Sequence, residues 1–307
     1  MIDTVTFRAT GEQGSYTHVI DALTAVVHHE ADGVGYDTGR LDNLYVRVTP
    51  CTCTVTGSLP MFLSGSNVET FTRQRVLMAM TIASDMLGVD LDAADVTRLD
   101  VAATLPMEHE PREYYQYMGI LRGATRSTRG SSLYYYKRGH DGLCFYDKER
   151  EAHLSDGRHL LRYEARYTGN LCRSFGVSHV TGADLLEGDF YRAAVERWRQ
   201  DYDKITKIRT VDNIDFRTMN SVKALRQAGV AFLCQAHGGM LAMMDKVDSA
   251  ARQGILTRKQ AHDMKAAIRV ACTEHRDEPQ PADGEAMPMI DELSHKVDDV
   301  AERAAAE

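Results

Sequence analysis

T-R-L-D-V-A at residues 97–102, L-C-F-Y-D-K at 143–148 and L-R-Y-E-A-R at 161–166 are three short strand patterns studded with polar residues. Side chains alternate faces along a strand, so the first places Arg98 and Asp100 together, the second Tyr146 and Lys148, and the third Arg162, Glu164 and Arg166. Leu99 and Val101, Leu143 and Phe145, and Leu161, Tyr163 and Ala165 then face a core. If the strands share a sheet, two carboxylates, a tyrosine, a lysine and several arginines meet on one surface. Such a set suits a divalent metal, phosphate binding and an oxygen nucleophile, which together read as phosphodiester chemistry.

Around these strands, residues 1–9 alternate like a strand and 15–30 read as a helix ending in Val26-Val27-His28-His29. Residues 44–55 resemble two strands broken near Pro50. The spacing of Val68, Phe71, Val76, Met80, Ile82 and Met86 predicts a long helix over 67–87, stopped at Gly88. Residues 111–120 read as a short helix, and 131–137 with 142–148 as a hairpin. This order predicts an α+β fold: an antiparallel sheet that carries the site, with helices on one face, followed by a C-terminal helical region. Helices are expected near 184–203, 220–236, 240–253 and 257–275. The division is residues 1–176 as an α+β domain, 177–275 as a helical region with packing or DNA-binding helices, and 276–307 as an acidic linker and tail. The segment 276–288 holds three of the seven prolines.

At 307 residues the chain is long enough for a sizeable core. A net charge of −8 argues against a nucleic-acid partner until its distribution is read, because from Glu278 onward nine acids face two bases and carry −7. The rest is near neutral, and between residues 121 and 139 Arg122, Arg126, Arg129, Lys137 and Arg138 occur without an acid. The tail reads as either a marginal helix or a disordered end, dispensable for folding in both cases. Six cysteines without a C-x-x-C pair predict a reduced cytoplasmic setting. Cys51 and Cys53 are expected on one strand face, without partners for zinc. No apolar run approaches a membrane span, and a soluble protein without a membrane partner is expected.

D-V-T-R-L-D-V-A-A (95–103), G-A-T-R-S-T-R-G-S (123–131), L-C-F-Y-D-K (143–148) and G-R-H-L-L-R-Y-E-A-R followed by S-F-G (157–176) occur in the order seen in the replication initiator encoded by gene II of filamentous phages and its plasmid relatives. The chain resembles that family over residues 95–176. The resemblance implies a rolling-circle replication initiator in the cytoplasm of a bacterial host. Such an enzyme nicks one strand of origin DNA, stays on the 5′ end through a phosphotyrosine, and leaves a 3′-OH for host polymerase and helicase. Carried over, the nucleophile falls on Tyr146 of the Y-x-K element and the acidic pair on Asp100 and Glu164, with Mg²⁺ or Mn²⁺ between them. No His-hydrophobe-His pair is present to hold the metal otherwise.

From the residues alone, each of these has a plainer reading. Tyr146 could pack its ring in a sheet, and Asp100 and Glu164 could pair with Arg98 or Arg166 in an ion cluster. Lys148 is placed to favour the phenolate or the transition state. Arg122, Arg126 and Arg129 are the leading DNA contacts, with Arg98, Arg162 and Arg166 buttressing the carboxylates or touching phosphate. Tyr134 and Tyr136 are rival nucleophiles or base-stacking residues. Trp198 is expected in the core. The helices around 240–253 and 257–270, joined by Q-G-I-L-T, are compatible with a helix-turn-helix and equally with a plain helical hairpin. Rival functions are an origin-binding regulator that does not cut, a hydrolytic nuclease without a covalent intermediate, and a helical adaptor. A homo-oligomer is compatible with all of them.

Overall fold

The computed structural model describes residues 1–31, 33–137, 141–154, 157–168, 171–207, 221–237, 239–274 and 288–306. Arg138 of the basic stretch and the expected linker at 276–287 lie outside them. The described residues fall into two units: Met1–Thr210 with Met287–Glu307, and Val211–Ala286.

Alternation makes the larger unit a sheet. β1 (Ile2–Thr10), β2 (Thr24–Ala31), β3 (Val34–Leu41), β4 (Leu44–Val48) and β5 (Thr52–Ser58) form the first half. β6 (Asp95–Met107), after helices α1 (Leu59–Ser64) and α2 (Arg73–Leu87), crosses to the centre. α3 (Pro111–Tyr114), β7 (Met118–Leu121), β8 (Ala124–Arg129), β9 (Ser132–Lys137), β10 (Gly142–Asp147), α4 (Lys148–Glu151) and β11 (His159–Tyr167) complete the second half. Ten strands run in the order β2-β3-β4-β5-β1-β6-β11-β10-β9-β8, every neighbour antiparallel. The fold is therefore the α+β antiparallel class that the alternation predicts.

One face of the central strands is apolar. Leu99, Val101, Leu105, Leu133, Tyr135, Leu143, Phe145, Leu161 and Tyr163 are all buried in one cluster. After α5 (Leu171–Phe175), α6 (Gly188–Asp203) packs on β6 and β11, and Tyr163 Oη donates to the Trp198 carbonyl at 2.9 Å. Trp198 is fully buried, as expected. A short β12 (Ile205–Lys207) pairs with β7. α2 has the capping its sequence calls for: Thr72 Oγ1 accepts from the Arg75 amide, and Gly88 ends the helix at φ +62°, which a Cβ would disfavour. It begins at Arg73 rather than at residue 67, the start that the apolar spacing predicts.

Three expectations are corrected. Residues 15–30 are not one helix: a single 3₁₀ segment at Thr17–Ala22 gives way to β2. Val26 and Val27 are exposed, so no apolar helical stripe exists, and His28 and His29 instead bond across to Asp37 and Thr38 of β3. Cys51 lies in the β4–β5 turn, exposed, while Cys53 is buried in β5, so the two do not share a strand face; all six cysteines are free. The acidic end is a folded part of the larger unit. After the smaller unit, whose α7 (Val222–Ala236), α8 (Gly239–Arg252) and α9 (Arg258–Glu274) enclose Cys234, Val247, Ala261 and Ile268, the chain returns as α10 (Pro288–Ala305). α10 buries Ile290, Leu293, Val297, Val300, Ala301 and Ala304, at the three-and-four spacing of an amphipathic helix, against α6 and β6. Asp299, Glu302 and Arg303 are exposed, while Glu292 turns inward and accepts from Tyr114 Oη and the Glu108 amide. Among the described residues no helix is long and apolar enough to cross a membrane.

Candidate active site

The opposite face of β6, β11 and β10 gathers the polar side chains. Pairing sets Arg166 across from Asp100, Glu164 across from Ala102, and Arg162 across from Thr104. On the other side of β11, Tyr146 is opposite Arg162 and Cys144 opposite Glu164; β9 then brings Ser132 opposite Tyr146 and Tyr134 opposite Cys144. Asp100 and Glu164 are diagonal neighbours, about 7–8 Å apart at Cα in such a pair. The small Ala102 between them leaves room for both carboxylates.

These charges are buried and paired. Asp100 is 0% exposed and Glu164 5%. Arg98 forks onto Asp100, its Nε donating at 2.9 Å, and Arg166 Nε donates to Glu164 Oε1 at 2.7 Å while lying 4.0 Å from Asp100. Burial pushes the Asp100 carboxyl up to about 7, with the Arg98 fork opposing and the Glu164 charge adding to the rise. Asp100 therefore holds its proton more tightly in the folded chain than in the unfolded one. Its contribution to stability is fully present below about pH 4 and is lost as the pH rises through about 7. The melting temperature of Asp100→Asn should accordingly gain on that of the parent chain as the buffer is raised from about pH 5 to about pH 8. A difference that stays constant over that range would place the Asp100 ionisation elsewhere.

Arg162 is held from three sides. Its guanidinium pairs with buried Asp3 of β1 and donates to the Asn67 carbonyl at 2.6 Å and Thr104 Oγ1 at 3.0 Å. Asp3 also accepts from Ser58 Oγ at 2.5 Å. Asp3 is a site-organising residue that the strand motifs do not contain; its only signal is an acid in an otherwise apolar-alternating strand.

Tyr146 lines an open cleft of ≈390 Å³ with Ser132, Tyr134, Cys144, Arg150, Glu151 and Arg166. Burial raises the phenol pKa, Arg162 counteracts it, and the charges of Glu164 and Glu151 add to the rise. Burial raises that of Tyr134 as well. Lys148 is 2% exposed, paired with Glu151, with Nζ 6.0 Å from the Tyr146 ring centroid. It opens α4 rather than extending the strand, because Asp147 caps that helix by accepting from the Arg150 amide at 3.0 Å.

The three arginines of the basic stretch are not brought together. Arg122 is exposed in the β7–β8 turn. Arg129 is on the polar face with its guanidinium 5.3 Å from the Tyr136 ring centroid. Arg126, three residues before it on β8, points the other way, donating to the Met118 and Tyr115 carbonyls at 2.9 and 2.8 Å. On the sequence-based expectation that this stretch contacts DNA, Arg126→Ala should lower the melting temperature and leave the salt dependence of DNA binding unchanged. Arg129→Ala should flatten the slope of log K against log salt by about one. Equal slopes for the two variants would contradict this division.

Among the described residues no group of three or more His, Cys, Asp and Glu is placed to hold a metal ion. The Asp100–Glu164 pair fits a Mg²⁺-type ion in a narrower sense, since such ions keep several waters and take one or two carboxylates together with substrate phosphate oxygens.

Fold and site thus define an antiparallel α+β domain with a tyrosine-bearing polar cleft on its sheet. Residues 46–185, which hold all ten predicted site residues, match the family model for the N-terminal part of the gene II replication-associated protein. Over that span the resemblance to gene II-type replication proteins is shown. Among solved structures, the chain is similar to the rolling circle replication initiator protein from Geobacillus stearothermophilus, with a TM-score of 0.43, 13% identity, and coverage of 70% of this chain and 88% of that one. No curated protein sequence matches the chain.

Proposed function

We propose that this protein initiates rolling-circle replication by nicking one strand of its replicon origin through a Tyr146 phosphotyrosine. The observation that supports this most is Tyr146 itself: a strand tyrosine on the polar face, lining an open cleft beside Arg162, Arg166 and a buried carboxylate pair. Tyr146 Oη attacks the scissile phosphorus and forms the new P–O bond. The 3′ oxygen leaves and becomes the free 3′-OH, while the 5′ phosphate remains on the tyrosine. A phenol is protonated at neutral pH and burial raises its pKa further, so the proton needs an acceptor: Glu151 in the cleft takes it, while the departing 3′ oxygen takes up a proton from solvent water. Arg162 holds the developing phenolate. Lys148 holds Glu151 in place from its buried position.

Asp100 and Glu164 are the residues that would hold Mg²⁺ or Mn²⁺, which would polarise the scissile phosphate. Arg98 and Arg166 neutralise those carboxylates when DNA is absent and, on binding, are released toward phosphate oxygens. Origin duplex, its nicked strand and the host polymerase and helicase are the partners this reading implies. It is tested by incubating the protein with Mn²⁺ and a supercoiled plasmid carrying the parent replicon's origin. The expected product is an open circle. Binding without cleavage would leave an origin-binding regulator.

A further inference from the structure

Resting on the nicking reading, we propose that Tyr136 and Arg129 form a stacking platform for an unpaired base of the strand held at Tyr146. The run Tyr134-Tyr135-Tyr136 divides between the two faces of β9. Tyr135 is fully buried, and its hydroxyl donates to the Met118 and Gly119 carbonyls at 3.2 and 2.9 Å, so it is a core residue. Tyr134 and Tyr136 share the polar face, their rings stacked 5.5 Å apart at an interplanar angle of 11°. Tyr136 is 41% exposed.

The register makes this stack continuous with the cleft. Moving along the β9–β10 pair, Ser132 is opposite Tyr146, Tyr134 opposite Cys144, and Tyr136 opposite Gly142. Tyr134 lines the cleft, and Tyr136 extends from it one alternation further. Gly142 offers no side chain to cover the Tyr136 ring, and a Cβ there would come within 2.9 Å of the Tyr135 carbonyl oxygen, so the bare position is enforced by the backbone. Arg129 brings its guanidinium to the same ring, and Arg166, 41% exposed at the side chain, borders the cleft. Aromatic rings with interleaved cations suit single strands, because every base presents a π-face once unpaired and each phosphate carries a charge. A duplex, whose bases already stack on one another, has no free face to offer.

The experiment measures binding of the full chain to a fluorescein-labelled dT oligonucleotide and to the same oligonucleotide with abasic residues, without divalent metal so that no cleavage occurs. Tyr136→Leu should weaken binding to the dT strand about five- to a hundred-fold, and Tyr136→Trp should preserve it. On the abasic strand Tyr136→Leu and the parent chain should bind alike, which separates stacking from general loss of structure. Equal affinity of Tyr136→Leu and the parent chain for the dT strand would overturn the proposal. So would an equal loss on both strands. Because metal-free binding is read, an unconfirmed nicking activity would leave this result standing on its own, and a failed platform would leave nicking untouched.

Discussion

Tyr146→Phe is expected to abolish nicking and covalent capture of DNA, a loss of at least several orders of magnitude, while the protein melts within a degree or two of the parent chain. Only one oxygen is removed, from a residue that lines an open cleft rather than the apolar core. The ring keeps its packing and its neighbour Lys148. A covalent mechanism has no substitute for the missing nucleophile, whereas loss of a general acid or base costs only about 10²–10⁴-fold. Nicking of supercoiled origin DNA and a thermal melt check both halves of the expectation. A variant that still nicks, with the same metal requirement, would point to water or to Tyr134 as the attacking group.

Removing α10 is expected to have the largest effect on stability. A chain ending at Glu274 loses Ile290, Leu293, Val297 and Val300 from the core, each contributing about 1.5–3 kcal/mol by burial. It also loses the Tyr114–Glu292 and Tyr202–Ser294 hydrogen bonds. That loss, about 6–12 kcal/mol, is of the same size as the whole stability of a domain, about 5–15 kcal/mol, so the truncated larger unit should be unfolded or nearly so at room temperature. Leu293→Ala gives the graded version: a cost of about 2–5 kcal/mol, or about 5–15 °C in melting temperature. Glu302→Ala, on the exposed side of the same helix, should melt like the parent chain. A truncated chain with an unchanged melt would restore the view of this segment as a dispensable acidic tail.

That view shows where sequence reasoning succeeds and where it does not. Strands β6, β10 and β11 are legible because period-two alternation with a wholly apolar partner face has few competing interpretations, and the same alternation places Arg98, Asp100, Tyr146, Arg162, Glu164 and Arg166 on one surface. The helix α10 carries an equally regular signal at residues 290, 293, 297, 300, 301 and 304, but its net acidity argues for a solvated end. The partner that decides the matter, α6, is distant in sequence: the Tyr202–Ser294 contact between the two helices spans 92 positions. The His-rich β2 reads as helix because its hydrogen bonds go to β3, whose residues do not enter a local pattern. The site shows the same limit. Alternation separates Arg126 from Arg129 as soon as the segment is known to be a strand, yet as an acid-free stretch of sequence it gives three equivalent arginines. Asp3 is tied to Arg162 across 159 positions, a contact that strand order creates and no spacing reveals.

The most direct test is the identity of the bond between protein and DNA. After reaction with origin plasmid and Mn²⁺, nuclease and protease digestion followed by mass spectrometry should yield a nucleotide-bearing peptide with the phosphate on Tyr146 and attached to a 5′ end. Cleaved DNA with no protein attached, or a phosphate on Tyr134 or Tyr136, would contradict the account.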